Sequence, residues 1–73
     1  MSILAHRLKE SRNKINKIQF DMAKYLGITE SAYQKYELGI SEPKIENLIK
    51  LADCFDVSID YLTGRTDNPK LNA

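Results

Sequence analysis

A-K-Y-L-G-I-T-E-S-A-Y-Q-K-Y-E-L-G, residues 23–39, carries two short apolar-patterned segments that meet at Gly27. Glycine there fits the left-handed position that follows a last helical turn. Two residues on, Thr29 is a good N-cap, because its hydroxyl can accept an orphan backbone N–H. The pattern predicts a helix beginning near Gln19, with Met22, Ala23 and Leu26 inward, and a connection of about three residues. The next helix starts at Glu30, carries Tyr33 and Tyr36 on one side, and ends before Gly39. Gly27 supplies the backbone freedom for the turn, and the small Ala23 lets the two axes approach steeply without a clash.

Working outward, Leu4, Leu8, Ser11 and Ile15 fall at i, i+4, i+7 and i+11 and define a first helix over about residues 2–14. Arg7, Lys9, Arg12 and Lys14 lie on its other faces. Downstream, Ser41 to Pro43 restarts the chain, with Pro43 expected in a first helical turn, where a missing N–H costs nothing. Ile45, Leu48, Ile49, Ala52 and Phe55 follow at helical spacing, and Asp56 tolerates the left-handed residue that ends this fourth helix. Ser58 caps a short fifth helix, Ile59–Leu62, and T-G-R-T-D-N-P is turn and tail chemistry. No stretch alternates with period two for long enough to be a strand. The expected fold is all-α with five helices: one domain over residues 1–66 and a loosely held tail over 67–73.

Composition narrows the function classes. At 73 residues the chain has room for one small core. One Cys excludes an internal disulfide framework, and with one His it cannot build an all-His/Cys zinc site within one chain. No metal or other cofactor is expected. No apolar run approaches the ~20 residues of a membrane span, and the first residues lack a secretory apolar core, so a reducing, cytoplasmic setting is expected. The net charge is +1, but residues 1–37 carry seven Lys/Arg (7, 9, 12, 14, 17, 24, 35) against four acids, while 38–73 carry four against six. A polarised chain can turn its basic side toward phosphate, although solvated surface charge alone gives similar imbalances. An enzyme is disfavoured: there is no nucleophile–base pair, phosphate-cradling loop or metal constellation.

Two short helices joined at Gly27 make a helix-turn-helix, whose outer helix projects as a ridge able to enter a DNA major groove. Here the sequence resembles the Cro and phage-repressor type of helix-turn-helix domain, also called XRE-like. The likeness runs from R-L-K-E-S-R (7–12) through Q-F-D-M-A-K-Y-L-G-I-T (19–29) and Y-E-L-G-I-S-E-P (36–43) to L-A-D-C-F-D-V-S-I-D-Y-L-T-G-R-T-D-N-P (51–69). Gln19, Ala23, Gly27, Tyr36–Glu37, Gly39, Pro43 and V-S-I-D-Y-L stand in register without a gap.

The resemblance implies a compact phage-repressor-like fold whose third helix reads bases, with contacts at Glu30, Ser31 and Lys35 and with Gln34 nearby. Each has a partner in principle. Lys35 can donate to guanine O6/N7, Glu30 can accept from cytosine N4, Gln34 can pair with adenine, and Ser31 can do either. Glu30 also repels phosphate and can act by rejecting wrong sites. The plain alternative is a solvated helix face. The family places Gln19 against a phosphate, helped by the helix N-terminus. The loop after the third helix offers backbone N–H groups, Ser41 and Lys44, while Lys17 and Lys24 extend the basic rim.

Arg12 and Glu37 are expected, by the same resemblance, to form an internal ion pair between the first helix and the end of the third. The family also implies a homodimer on a palindromic site, with its interface around Glu42, Lys44, Ile45, Ile59, Tyr61 and Leu62. Tyr25, Tyr33, Tyr36 and Tyr61 read as core before they read as base-stacking groups, and Cys54 reads as a small buried hydrophobe rather than a redox sensor. Several positions depart from the family: Ile18 where Thr or Ser usually caps the second helix, Lys17 where an apolar residue is common, Phe20 at a site often Glu, and apolar Leu38 and Ile40 in a loop usually polar. These are either scattered surface apolars or a protein-binding patch. The expected function is therefore a sequence-specific transcriptional repressor on double-stranded DNA. The competing reading is an antitoxin- or antirepressor-like module whose main partner is another protein, with autoregulatory DNA binding.

Overall fold

Local chemistry sets the helix limits in the computed structural model, which describes residues 2–70. The helices are α1 (Ile3–Lys14), α2 (Gln19–Leu26), α3 (Glu30–Leu38), α4 (Ile45–Phe55) and α5 (Ile59–Thr63). Hydroxyls start three of them: Ser2 Oγ accepts from Ala5 N at 3.1 Å, Thr29 Oγ1 from Ala32 N at 3.1 Å and Ser58 Oγ from Tyr61 N at 3.0 Å. Such a cap is worth about 1 kcal/mol. Ile18, which precedes α2, has no acceptor to offer, and Asp21 Oδ2 accepts from the Ile18 N–H at 3.0 Å instead. This is one half of a capping box, so the start of α2 is defined from inside the helix.

Gly27, at φ 72°, ends α2, and Ile28 N reaches back to Ala23 O at 3.0 Å. Gly39, at φ 77°, ends α3 in the same way, with Ile40 N on Lys35 O at 3.0 Å. Both are left-handed closures that satisfy orphan carbonyls. Asp56 takes the equivalent place after α4, at φ 56°. The α4 start differs from the sequence expectation. Lys44 is extended (ψ 158°) and the helix begins at Ile45, so Pro43 lies outside the first turn and stiffens the approach to it.

Leu8, Met22, Ala23, Leu26, Tyr33, Leu48, Leu51, Ala52, Phe55, Val57, Tyr61 and Leu62 form one core to which every helix contributes. Within α4 the inward set is Leu48, Leu51, Ala52 and Phe55. Ile45 and Ile49, which the spacing grouped with the inward residues, are 66% and 45% exposed. At about 100° per residue, Ile49 lies well off the centre of the buried arc, while Ile45 sits at its edge in the first turn.

The segment after α5 is held more firmly than its turn chemistry implies. Arg7 donates to the carbonyls of Tyr61 and Thr66, the latter at 2.7 Å, and pairs with the Asp67 carboxylate at 2.7 Å. Its guanidinium also lies 4.1 Å from the Tyr61 ring centroid, and Ser58 N donates to Pro69 O at 2.9 Å. Within the expected loose tail, Asp67 is thus bonded to α1 and Pro69 to the cap of α5, and residues 71–73 lie outside the described residues.

Candidate nucleic-acid interface

The α2–α3 pair is locked from behind. Met22, Ala23 and Leu26 of α2 are buried, and α3 sends Tyr33 and Glu37, one turn apart, into the interior. Tyr33 meets Tyr36 edge-on, with centroids 5.9 Å apart and planes at 75°. On α3 this leaves Glu30, Ser31, Gln34 and Lys35 on one exposed face. All four expected base contacts therefore share a single solvent-facing arc. Leu38, taken from sequence as a loop residue, is the last residue of α3 and continues that arc.

Arg12 and Glu37 form the expected pair as a two-point clasp. Arg12 Nε donates to Glu37 Oε2 at 2.7 Å and Nη2 donates to Oε1 at 2.9 Å. The Glu37 side chain is only 2% exposed. A third bond, Arg12 Nη1 to Lys17 O at 2.8 Å, ties the pair to the residue before the α2 cap. One guanidinium thus joins α1, the approach to α2 and the end of α3. Burial works against the charged Glu37 carboxylate, but hydrogen bonding from Arg12 and then Gln19, with the Arg12 charge, outweighs it and leaves the pKa below the usual carboxylate value. The Glu37 hydrogen bond holds the Arg12 pKa above its ordinary value. The buried Tyr33 hydroxyl makes no hydrogen bond of good geometry, and burial first, then Glu37, pushes its pKa up.

Of the expected phosphate contacts, Lys17, Lys24, Ser41 and Lys44 are exposed, and Gln19 is half-buried at the start of α2. Gln19 Nε2 donates to Glu37 Oε1 at 3.1 Å, a link that sequence spacing did not disclose. The backbone of the α3–α4 loop is less available than expected. The N–H groups of Gly39, Ile40 and Ser41 already donate to Tyr36 O and Lys35 O, closing α3.

The expected dimer surface divides in two. Glu42, Lys44 and Ile45 are exposed and Ile59 is partly so. Tyr61 and Leu62 are core, Leu62 with no exposed surface, which corrects their assignment. In a five-residue helix both are needed to close the core against α1 and α4. Cys54 is half-buried rather than buried, and burial pushes its thiol pKa up against an opposing effect of Lys17, so the protonated, unreactive form is favoured. Tyr25 is exposed, with its hydroxyl donating to Lys50 O at 3.1 Å. Among the described residues no group of three His, Cys, Asp or Glu could hold a metal ion, and no helix is long and apolar enough to cross a membrane.

Two short helices meeting at a left-handed glycine, with a buried clasp behind them and a polar ridge in front, define a helix-turn-helix unit. Residues 8–62 match the family model described as Helix-turn-helix, and the chain belongs to that family, in its XRE-like branch. Over 62 residues it is 47% identical to the cryptic phage CTXphi transcriptional repressor RstR of Vibrio cholerae, covering 85% of this chain and 55% of that protein. It is 41% identical over 69 residues to the uncharacterized HTH-type transcriptional regulator YqaE of Bacillus subtilis, covering 94% and 60%. With the HTH-type transcriptional regulator ImmR of the same organism it shares 36% over 69 residues, covering 94% and 54%. The chain therefore spans little more than half the length of the curated relatives it matches.

Proposed function

We propose that this chain is the DNA-reading unit of a sequence-specific transcriptional repressor, with α3 in the major groove. The observation that carries this reading is the exposed arc of Glu30, Ser31, Gln34 and Lys35, backed by a core that leaves α3 little freedom to tilt. Lys35 donates to guanine, Gln34 pairs with adenine, and Glu30 and Ser31 select at the leading end of the helix. Gln19, Lys17, Lys24, Ser41 and Lys44 hold phosphates and supply affinity without sequence choice. The relatives named as repressors and regulators support the same reading.

One α3 offers too few contacts for operator-grade affinity, so two copies bind a palindromic site with half-sites about 34 Å apart. The exposed Ile45 and Ile49, with Glu42, Lys44 and Ile59 beside them in sequence or partly exposed, support an α4-centred contact between copies. Selection of bound duplexes from a random library at near-physiological salt tests the whole reading. A two-fold-symmetric motif is the expected result, and weak, salt-sensitive binding without enrichment would overturn it.

A second reading rests on the exposed apolar Phe20, Leu38 and Ile40. In it, an antitoxin- or antirepressor-like unit binds a protein partner and uses DNA for autoregulation. It requires a stoichiometric small protein that co-purifies with the native chain and is lost from a Leu38→Ser variant.

A further inference from the structure

We infer that Glu37 is a positioning residue for DNA-backbone contact: through its carboxylate it fixes which end of the Gln19 side-chain amide faces a phosphate. The inference rests on the proposed role of Gln19, and adds a second function to a residue otherwise explained by its ion pair alone.

Glu37 Oε2 accepts from Arg12 Nε, while Oε1 accepts from both Arg12 Nη2 and Gln19 Nε2, at 2.9 and 3.1 Å. An ionised carboxylate only accepts hydrogen bonds, so its neighbour in this contact must be the nitrogen end of the amide. The lowered pKa keeps Glu37 in that accepting form at neutral pH. An unrestrained glutamine presents oxygen or nitrogen to an incoming group with similar ease, and the oxygen end repels phosphate. With one Nε2 hydrogen held by Glu37, the other points about 120° away from it and remains free to donate. Gln19 is half-buried at the head of α2, so the held end lies inward and part of the side chain stays open to solvent.

The clasp is itself rigid. Arg12 pins both carboxylate oxygens and bonds Lys17 O, two residues before Gln19, so the acceptor and the backbone that carries the donor are tied by the same guanidinium. Gln19 is therefore aimed before DNA arrives, which removes part of the ordering cost of making the phosphate contact. Glu37 lies one turn behind Tyr33 on the inner side of α3, so the device also registers α2's backbone contact against the helix that reads bases.

The test uses the native chain and single-phosphate neutralisation. In the free protein, one of the two Gln19 side-chain amide protons should show the shift and slowed exchange of a carboxylate-bound hydrogen. On adding the selected duplex it should keep its position while its geminal partner moves. Two protons that are alike before binding and move together would overturn the inference. In parallel, a methylphosphonate placed at each backbone position should identify one phosphate per half-site whose neutralisation weakens native binding about tenfold. It should leave binding by Gln19→Ala unchanged. A folded Glu37→Gln variant should have lost that sensitivity, whereas full sensitivity there would overturn the positioning role. If Glu37→Gln does not fold, the amide-proton measurement on the native chain decides alone. Failure of the DNA-binding reading shows separately, as no enriched duplex while the Gln19–Glu37 contact persists in the free chain.

Discussion

Replacing Arg12 by alanine removes two hydrogen bonds to Glu37, at 2.7 and 2.9 Å, and one to Lys17 O at 2.8 Å, and strands a carboxylate whose side chain is 2% exposed. Breaking one side of a buried pair in this way costs about 3–5 kcal/mol. A chain this short has about 4–11 kcal/mol of total stability, so the variant is brought close to unfolding. With a urea m-value of about 1 kcal/mol/M, the midpoint falls by about 3 M or more. The pH dependence has a definite sign. In the native chain the Glu37 pKa is lowered, so its contribution is present above the unfolded value of about 4.3 and is lost as pH falls through the folded one. Without Arg12 the strongest opposing hydrogen bonds are gone, burial dominates, and the folded pKa rises. The variant then gains stability relative to the native chain as acid neutralises the stranded group. Urea titrations followed by far-UV circular dichroism at pH 7 and pH 4 should show a gap that narrows with acid. A gap below about 1 kcal/mol at pH 7, typical of exposed pairs, or one that does not change with pH, refutes the reasoning. Replacing both partners, Arg12→Met with Glu37→Leu, should recover most of the loss.

Other perturbations separate the parts of the molecule. Lys35→Ala should keep the fold and relax base preference at one operator position, costing about 1–3 kcal/mol there; equal losses on all sequences would make Lys35 a phosphate contact. Arg7→Ala should free the segment that Arg7 ties down, seen as faster tryptic cleavage after Arg65 with α-helical content retained; unchanged cleavage would mean that Ser58–Pro69 holds the segment unaided. Ile49→Asp should leave the isolated chain folded, because Ile49 lies outside the buried core and is 45% exposed, and should lower its tendency to pair in sedimentation experiments. An unchanged monomer–dimer balance would move the contact away from α4.

Helix placement was legible where a boundary rests on a local signal: Gly27 and Gly39 at left-handed φ, Thr29 and Ser58 as hydroxyl caps, and Asp56 standing where a branched residue would be strained; the α4 start, with no side-chain cap, was misplaced. The outward set Glu30, Ser31, Gln34 and Lys35 followed from periodicity once Tyr33 and Tyr36 shared the other side, whereas the inward place of Glu37 followed only from the family resemblance. What stayed hidden depends on contacts between residues far apart in the chain. Arg7 looked like one more cation on α1, yet its partners Tyr61, Thr66 and Asp67 lie more than fifty residues away. Ile45 and Ile49 fit helical spacing as well as Leu48 does, and only the direction from which α5 and the rest of the core approach decides which flank is covered. Gln19 matched a phosphate position by family likeness, while its bond to Glu37 needed the crossing of α2 and α3 to be seen.

These long-range contacts share a consequence for how a chain of net charge +1 could hold DNA. Electrostatic affinity scales with the number of phosphates neutralised, and Lys17, Lys24 and Lys44 are few beside the most basic DNA-binding surfaces. A binder with few cations must recover affinity by lowering the cost of ordering the contacts it has, or by joining two copies so that each engages the duplex already aligned. In the proposed reading the Arg12–Glu37–Gln19 clasp would serve the first route, since one guanidinium bonds both Glu37 at the end of α3 and Lys17 O just before α2. In the proposed α4 contact between copies, the exposed Ile45 and Ile49 would serve the second. On this argument the clasp and the α4 face are complementary, and weakening either makes binding depend more steeply on the other.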